Sequence, residues 1–150
     1  MYKRILLCID GSEESYKTVN KVIEFYKIWN CKIVAFHSIE HHMVIPVFTI
    51  FGQIPSPIES YDLVHNDYEK LGKQIIKETK LIFKRAGVPI EARLIDDIKP
   101  EKYAIESAKE ENFDLIVLGS KGHHSKFDLV LGTVATYIVN NANCDVLIIR

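Results

Sequence analysis

With 150 residues, 47% of them hydrophobic, the chain is long enough to bury one core and reads as a single domain over 1–150. Its 19 basic and 20 acidic side chains give a formal net charge of −1. That balance offers no basic excess for a nucleic acid, and no apolar run approaches the ~20 residues that span a bilayer.

Ile5-Leu6-Leu7-Cys8-Ile9 is a continuous apolar run, the pattern of a strand buried on both faces, and Asp10-Gly11-Ser12 ends it. The run is short and carries Asp10, unlike a secretory signal. The three widely spaced cysteines, Cys8, Cys31 and Cys144, argue against a disulfide framework and for a reducing, cytoplasmic setting. A helix should follow the first turn. Ser12 can cap it, Glu13 and Glu14 suit the positive end of its dipole, and Val19, Val22, Ile23 and Tyr26 supply one apolar stripe. Lys32 to Ser38 reads as the second strand.

Residues 40 to about 58 break the rhythm, with His41-His42 at the start and Pro46, Gly52, Pro55 and Pro57 as punctuation. A long helix is expected from about Ile58 to Ala86, with Tyr61, Val64, Tyr68, Leu71, Ile75 and Ile82 at helical spacing and Gly87 and Pro89 ending it. Ile90 to Ile95 reads as the third strand, and Pro100 suits the first turn of a third helix ending near Glu111. Leu115 to Leu118 is a fourth strand as apolar as the first. Gly132 to about Asn141 is expected to be helical with Val134, Ile138 and Val139 inside, and Val146 to Ile149 is the fifth strand.

Strands alternating with helices imply the α/β class: an open five-stranded parallel sheet, covered on both faces by right-handed crossovers. The two purest apolar strands, the first and the fourth, belong in the centre, which favours the order 3-2-1-4-5. Ligands of such sheets bind beyond the carboxyl ends of the strands where the winding reverses. The segments leaving those ends are Asp10-Gly11-Ser12 and Gly119-Ser120-Lys121-Gly122.

Gly119, Gly122 and Gly132 are separated by two and nine residues, and Thr133 follows the last. Three glycines at a fixed spacing arise by chance in roughly one chain in twenty at a Gly usage of about 7%. Context adds to the spacing. Gly119 ends a buried strand, Gly132-Thr133 opens a helix, and Lys121 and Lys126 lie between. Such glycines either make tight turns and nothing more, or let backbone N–H groups at a helix start reach a phosphate.

Gly119-Ser120-Lys121-Gly122, nine residues, then Gly132-Thr133 resembles the ATP-binding signature of universal stress proteins. Ile5 to Ser12 resembles that family's first strand and its Asp-Gly-Ser turn, Asp114 to Ser120 its fourth strand, and Asn143 to Arg150 its last strand. The resemblance covers all but the 40–58 segment. It implies an adenine-nucleotide alpha-hydrolase-like fold and, in the members that keep the glycines, bound ATP, ADP or AMP.

Carried over by position, it implies Cys8 and Asp10 at the base and ribose end and Ser38 near the adenine through its backbone. Leu118 and Gly119 would lie beside the ribose, with Lys121, Gly122, Gly132, Thr133 and Val134 around the phosphates. The chain departs from the family at Cys8, where proline is common, and at Asp96-Asp97-Ile98-Lys99-Pro100, which lacks a customary glycine.

Asp10 reads in two ways, as a carboxylate for Mg²⁺ or Mn²⁺ arriving with the nucleotide or as the cap of its own turn. His41-His42 and His123-His124 read as solvated histidines, because adjacent side chains on an extended loop point apart. Cys8, inside a buried strand, reads as a small core hydrophobe. Walker A, dinucleotide and nucleophile-elbow motifs are absent from the sequence.

The leading function is a nucleotide-dependent regulator of a stress response with slow or no hydrolysis. The alternatives are an ATP-hydrolysing or nucleotidyl-transfer enzyme on the same sheet, and an interaction module with a vestigial pocket. Two interfaces are expected. Asp145 to Arg150 at the sheet edge should pair with a second copy, as in many members of the family. The apolar stretch 43–51 should meet a partner, lid the pocket near Ser38, or fold back on its own helix.

Overall fold

The computed structural model describes residues 1–39, 57–121 and 131–150, with 57–64 described through the backbone alone. The expectations for the 40–56 segment and for Gly122, His123-His124 and Lys126 lie outside the described residues.

The elements run β1 (Arg4–Cys8), α1 (Glu13–Trp29), β2 (Lys32–Ile39), α2 (Pro57–Arg85), β3 (Glu91–Asp96), α3 (Pro100–Glu110), β4 (Leu115–Gly119), α4 (Thr133–Asn141) and β5 (Asp145–Ile149). All four pairings are parallel and the order is β3-β2-β1-β4-β5, as the placement of the two purest apolar strands in the centre anticipates. β1 stops one residue before the end of its apolar run, although the Ile9 N–H still donates to the Phe36 carbonyl at 3.0 Å.

Because side chains alternate along a strand, each central strand feeds two cores. Ile5 and Leu7 of β1 pack with Leu115 and Val117 of β4 under Val19 and Val22 of α1 and Ile75 and Phe83 of α2. Leu6, Ile116 and Leu118 face the other way, onto Ala104 and Ala108 of α3 and Ala135 and Ile138 of α4. Each of these Leu and Ile side chains, nearly sealed from water, contributes about 1.5–3 kcal/mol of transfer free energy. The alanines on α3 and α4 let those helices lie close to the sheet.

Two helix faces differ from their sequence phase. On α2 the buried stripe is Ile75, Ile76, Thr79 and Phe83, whereas Tyr68 and Leu71 are 46% and 50% exposed. The stripe is centred on Gly72 rather than on its larger neighbours. A Cβ at Gly72 would stand 2.7 Å from Leu94 Cδ1, 3.2 Å from His37 Cδ2 and 3.3 Å from Ile39 Cγ1, so the helix rests on β2 and β3 where it has no side chain. On α4, Ala135 and Ile138 face the sheet, Val134 packs partly against the same cluster, and Val139, expected inside, is 47% exposed.

The Gly72 contact sets a measurable balance. Alanine there gains about 0.5–1 kcal/mol of helix propensity but must displace the flexible tip of Leu94 and press on His37 and Ile39, so the two effects offset and Gly72→Ala should stay within about 1 kcal/mol of the wild type. Gly72→Leu has no such room and is expected to cost about 1–3 kcal/mol in urea unfolding.

The 96–100 stretch supplies a left-handed residue without a glycine. Asp97 adopts φ 58°, a conformation that Asp and Asn tolerate better than most residues. The Ser38 hydroxyl, at the end of β2, donates to the Ile98 carbonyl and fastens this turn to the sheet.

Candidate nucleotide site at the β1/β4 switch

The turn after β1 is held by its own side chains. Gly11 sits at φ 76°, which glycine takes without a Cβ clash. Asp10 Oδ1 accepts the Ser12 N–H at 2.9 Å and the Ser12 hydroxyl at 2.6 Å. Ser12 Oγ in turn accepts the Ser15 N–H at 3.1 Å, capping α1, and the Asp10 N–H donates to Ser15 Oγ at 3.2 Å. Of the two readings of Asp10, the turn cap is therefore present in the fold. The neighbouring His37 fixes a tautomer: its Nδ1 lies 2.9 Å from the Ile9 carbonyl, which can only accept, so Nδ1 carries the proton.

Cys8 lies half-buried on the α3/α4 face of the sheet, packed against that core. Burial pushes its thiol well above the ordinary range, with the Asp10 charge adding to the shift. A thiol so disposed is a core hydrophobe and a poor nucleophile. Leu118 is buried in the same cluster.

β4 ends beside this turn, since Leu7 stands opposite Val117 in the shared register. Gly119 lies directly against α1: a Cβ there would be 3.2 Å from Glu14 Cβ and 3.5 Å from the Glu14 carbonyl carbon. Glu14 Oε2 accepts both the Ser120 hydroxyl at 3.1 Å and the Lys121 N–H at 2.8 Å. The Ser120 N–H donates to the Ile149 carbonyl of β5 at 2.9 Å, and the Ser120 carbonyl accepts the Gly132 N–H at 2.8 Å. Gly119 and Gly132, far apart in sequence, thus meet across one residue.

Gly132 is the N-cap of α4, with φ −60° and ψ 159° and no side chain to cap the helix, and the first turn of α4 contains no acidic residue. The Gly132 N–H is committed to Ser120, so the backbone donors that α4 presents are those of its first turn, Thr133, Val134 and Ala135, which have no acceptor within the helix.

Sequence reasoning gave Glu14 only a dipole role and did not single out Ser15 or the Ser120 hydroxyl. The signal available was topological: once the first and fourth strands are neighbours, the start of the first helix must lie over the end of the fourth strand.

The family model of the universal stress proteins matches residues 1–150. The chain belongs to the universal stress protein family. Among curated relatives, Universal stress protein A homolog 1 of Coxiella burnetii is 30% identical over 149 residues, covering 97% of this chain and 94% of that protein. Universal stress protein MJ0531 of Methanocaldococcus jannaschii is 27% identical over 150 residues, covering 100% of this chain and 83% of that protein. The solved structure of hypothetical protein MJ0577 superposes with a TM-score of 0.81 at 23% identity, covering 99% of this chain and 96% of that one.

Among structures described as universal stress proteins, three hold nucleotides. One, in complex with cAMP, superposes at TM-score 0.61 and 23% identity, covering 99% of this chain and 97% of that one. An Archaeoglobus fulgidus protein with dAMP gives 0.65 and 17%, covering 99% and 98%. An Arabidopsis thaliana protein with AMP bound gives 0.66 and 16%, covering 98% and 90%. At these identities the likeness establishes the fold of this universal stress protein as that of its structural neighbours.

Proposed function

We propose that this universal stress protein binds an adenine nucleotide, ATP or a lower phosphate of adenosine, at the β1/β4 switch and acts as a nucleotide-dependent regulator in a stress response. The observation that carries the reading is the start of α4. A helix N-terminus with a glycine N-cap and no first-turn carboxylate abuts Gly119-Ser120 at the carboxyl end of a central strand. Its first-turn amides, which have no acceptor within the helix, and its dipole favour an anion. The cAMP, dAMP and AMP complexes of structural neighbours support the same ligand class.

In this reading Cys8 and Asp10 meet the base and ribose, the backbone of Ser38 the adenine, and Leu118 and Gly119 the ribose. Lys121, Gly122, Gly132, Thr133 and Val134 surround the phosphates. Thr133 and Val134 give their N–H groups, while Gly132 gives space, because its own N–H already serves Ser120. Mg²⁺ or Mn²⁺ would enter as the nucleotide's own counter-ion: among the described residues no cluster of three or more His, Cys, Asp or Glu could hold a metal. A cytoplasmic setting accords with the free thiols of Cys8, Cys31 and Cys144. Among the described residues no helix is long and apolar enough to cross a membrane.

Hydrolysis is slow or absent in this reading. Phosphoryl transfer needs a positioned nucleophile and charge stabilisation, and no arginine stands in 10–12, 119–121 or 131–134. Mass spectrometry of the small molecule released when the purified protein is denatured tests the ligand, with an adenine nucleotide expected. A protein that releases none and shows no calorimetric signal with ATP, ADP or AMP refutes the reading. A steady-state ATPase rate of several per second, within the usual enzyme range of about 1–10³ per second, would favour the enzyme instead.

A further inference from the structure

Glu14 is the second residue of α1, following Glu13 after the Ser12 cap. A carboxylate there commonly faces the amides of its own helix start. This one crosses to the segment that leaves β4 and accepts, through a single oxygen, the Ser120 hydroxyl and the Lys121 N–H. Ser120 is only 3% exposed, so its hydroxyl must have a partner inside the protein, and Glu14 is that partner. The first turn of α1 comes so close that a Cβ at residue 119 would stand 3.2 Å from Glu14 Cβ, a contact that glycine avoids. Two donors converging on one anionic oxygen is the arrangement that also recognises a phosphate oxygen.

The same Ser120 joins this carboxylate to the start of α4, its hydroxyl on Glu14 and its carbonyl on the Gly132 N–H. The switch therefore has two clusters of donors side by side. The one at α4 has no carboxylate in its first turn, while the one at the end of β4 carries a carboxylate of the protein's own.

We propose that Glu14 is a specificity-determining residue that stands in for a phosphate at the end of β4 and lowers the affinity of the site with each phosphate the ligand carries. The inference rests on the nucleotide reading above and deepens it. A phosphate chain seated at the start of α4 must either lie beside the Glu14 charge or displace it from Ser120 and Lys121. Adenosine does neither. The ratio of ATP affinity to adenosine affinity is thus held down by Glu14, and the site is biased toward ligands with fewer phosphates.

Glu14→Gln tests the charge while keeping an oxygen that can still accept from Ser120 and Lys121. Calorimetry with adenosine, AMP and ATP on wild type and variant, at one fixed ionic strength, gives the three affinities. The ATP-to-adenosine affinity ratio is expected to rise about tenfold in the variant, the scale set by removing one like charge at a half-buried site, with a smaller rise for AMP. That gain should shrink at high salt. In wild type the Lys121 amide resonance in ¹⁵N-correlated spectra should move more on adding ATP than on adding adenosine, a readout that needs no substitution. An unchanged ratio in Glu14→Gln, or a Lys121 amide indifferent to phosphate number, overturns the proposal while nucleotide binding itself stands. If neither protein binds any of the three ligands, the nucleotide reading falls and the Glu14 proposal with it.

Discussion

Gly132→Val should fold and lose ATP, with affinity falling about a hundredfold or more, the equivalent of one or two charge-assisted hydrogen bonds. The two halves of that expectation have separate causes. Gly132 has φ −60° and ψ 159°, which any L-residue adopts, so valine meets no backbone strain there. Valine is a poorer N-cap than glycine, and a loss of about 1 kcal/mol of stability is the reasonable cost. Binding is a different matter. A branched side chain at the N-cap stands over the first-turn amides of α4, where the anion would have to come within hydrogen-bonding distance. Calorimetry should find the ATP signal gone, while denaturant unfolding finds a cooperative transition within about 1–2 kcal/mol of the wild type. Unchanged affinity would remove the phosphates from the start of α4.

The second large effect concerns assembly. Among the described residues β5 is an edge strand, paired with β4 from Asp145 opposite Leu115 to Ile149 opposite Gly119. Val146 and Ile148 pack against the α3/α4 core and Leu147 and Ile149 against the α1/α2 core, so none of the four side chains is fully exposed. What β5 presents is its outer backbone edge. Edge strands are ordinarily blunted by a lysine, a proline or an inward charge, and Val146 to Ile149 carry none of these. A second copy of the same strand, antiparallel across a two-fold axis, would pair that edge and make the contact self-complementary. The protein is accordingly expected to be a dimer at micromolar concentration. Leu147→Pro removes a backbone donor and restricts Val146, and it should give monomer or aggregate with no residual dimer. Light scattering decides: a monomeric wild type contradicts the interface, and a Leu147→Pro protein that stays dimeric moves it elsewhere.

The sheet was legible in the sequence because its strands differ in composition for a physical reason. Ile5 to Leu7 of β1 and Leu115 to Leu118 of β4 are buried on both faces and must be apolar, and that alone placed the two strands in the centre with the switch between them. The N-cap of α1 was legible because Ser12 answers a local backbone requirement, whereas the left-handed C-cap, Asn30, was not. The face of α2 was legible only in part: Ile75 and Ile82 do face the core, but the buried stripe includes Thr79 and turns about Gly72, which registers as nothing on a hydrophobicity scale. Val139 lies outside because Ala135 and Ile138, three residues apart, already turn one side of α4 to the sheet and leave the position after Ile138 facing away. At the site, the glycine spacing marked the start of α4, but the bonds from Glu14 to Ser120 and Lys121 connect segments that sequence periodicity treats separately.

Ser120 sits at a junction of four elements, with its hydroxyl on α1, its carbonyl on the N-cap of α4, its N–H on the last residue of β5, and β4 leading into it. A ligand that draws on either donor cluster beside Ser120 therefore acts on the residue that anchors the end of the edge strand. If the nucleotide binds there and two copies pair through β5, occupancy and assembly belong to one thermodynamic cycle. Whatever factor the nucleotide contributes to the association constant of two copies, association must return to the affinity for the nucleotide. A titration of dimerisation against ligand concentration would read the coupling from either side and obtain the same number.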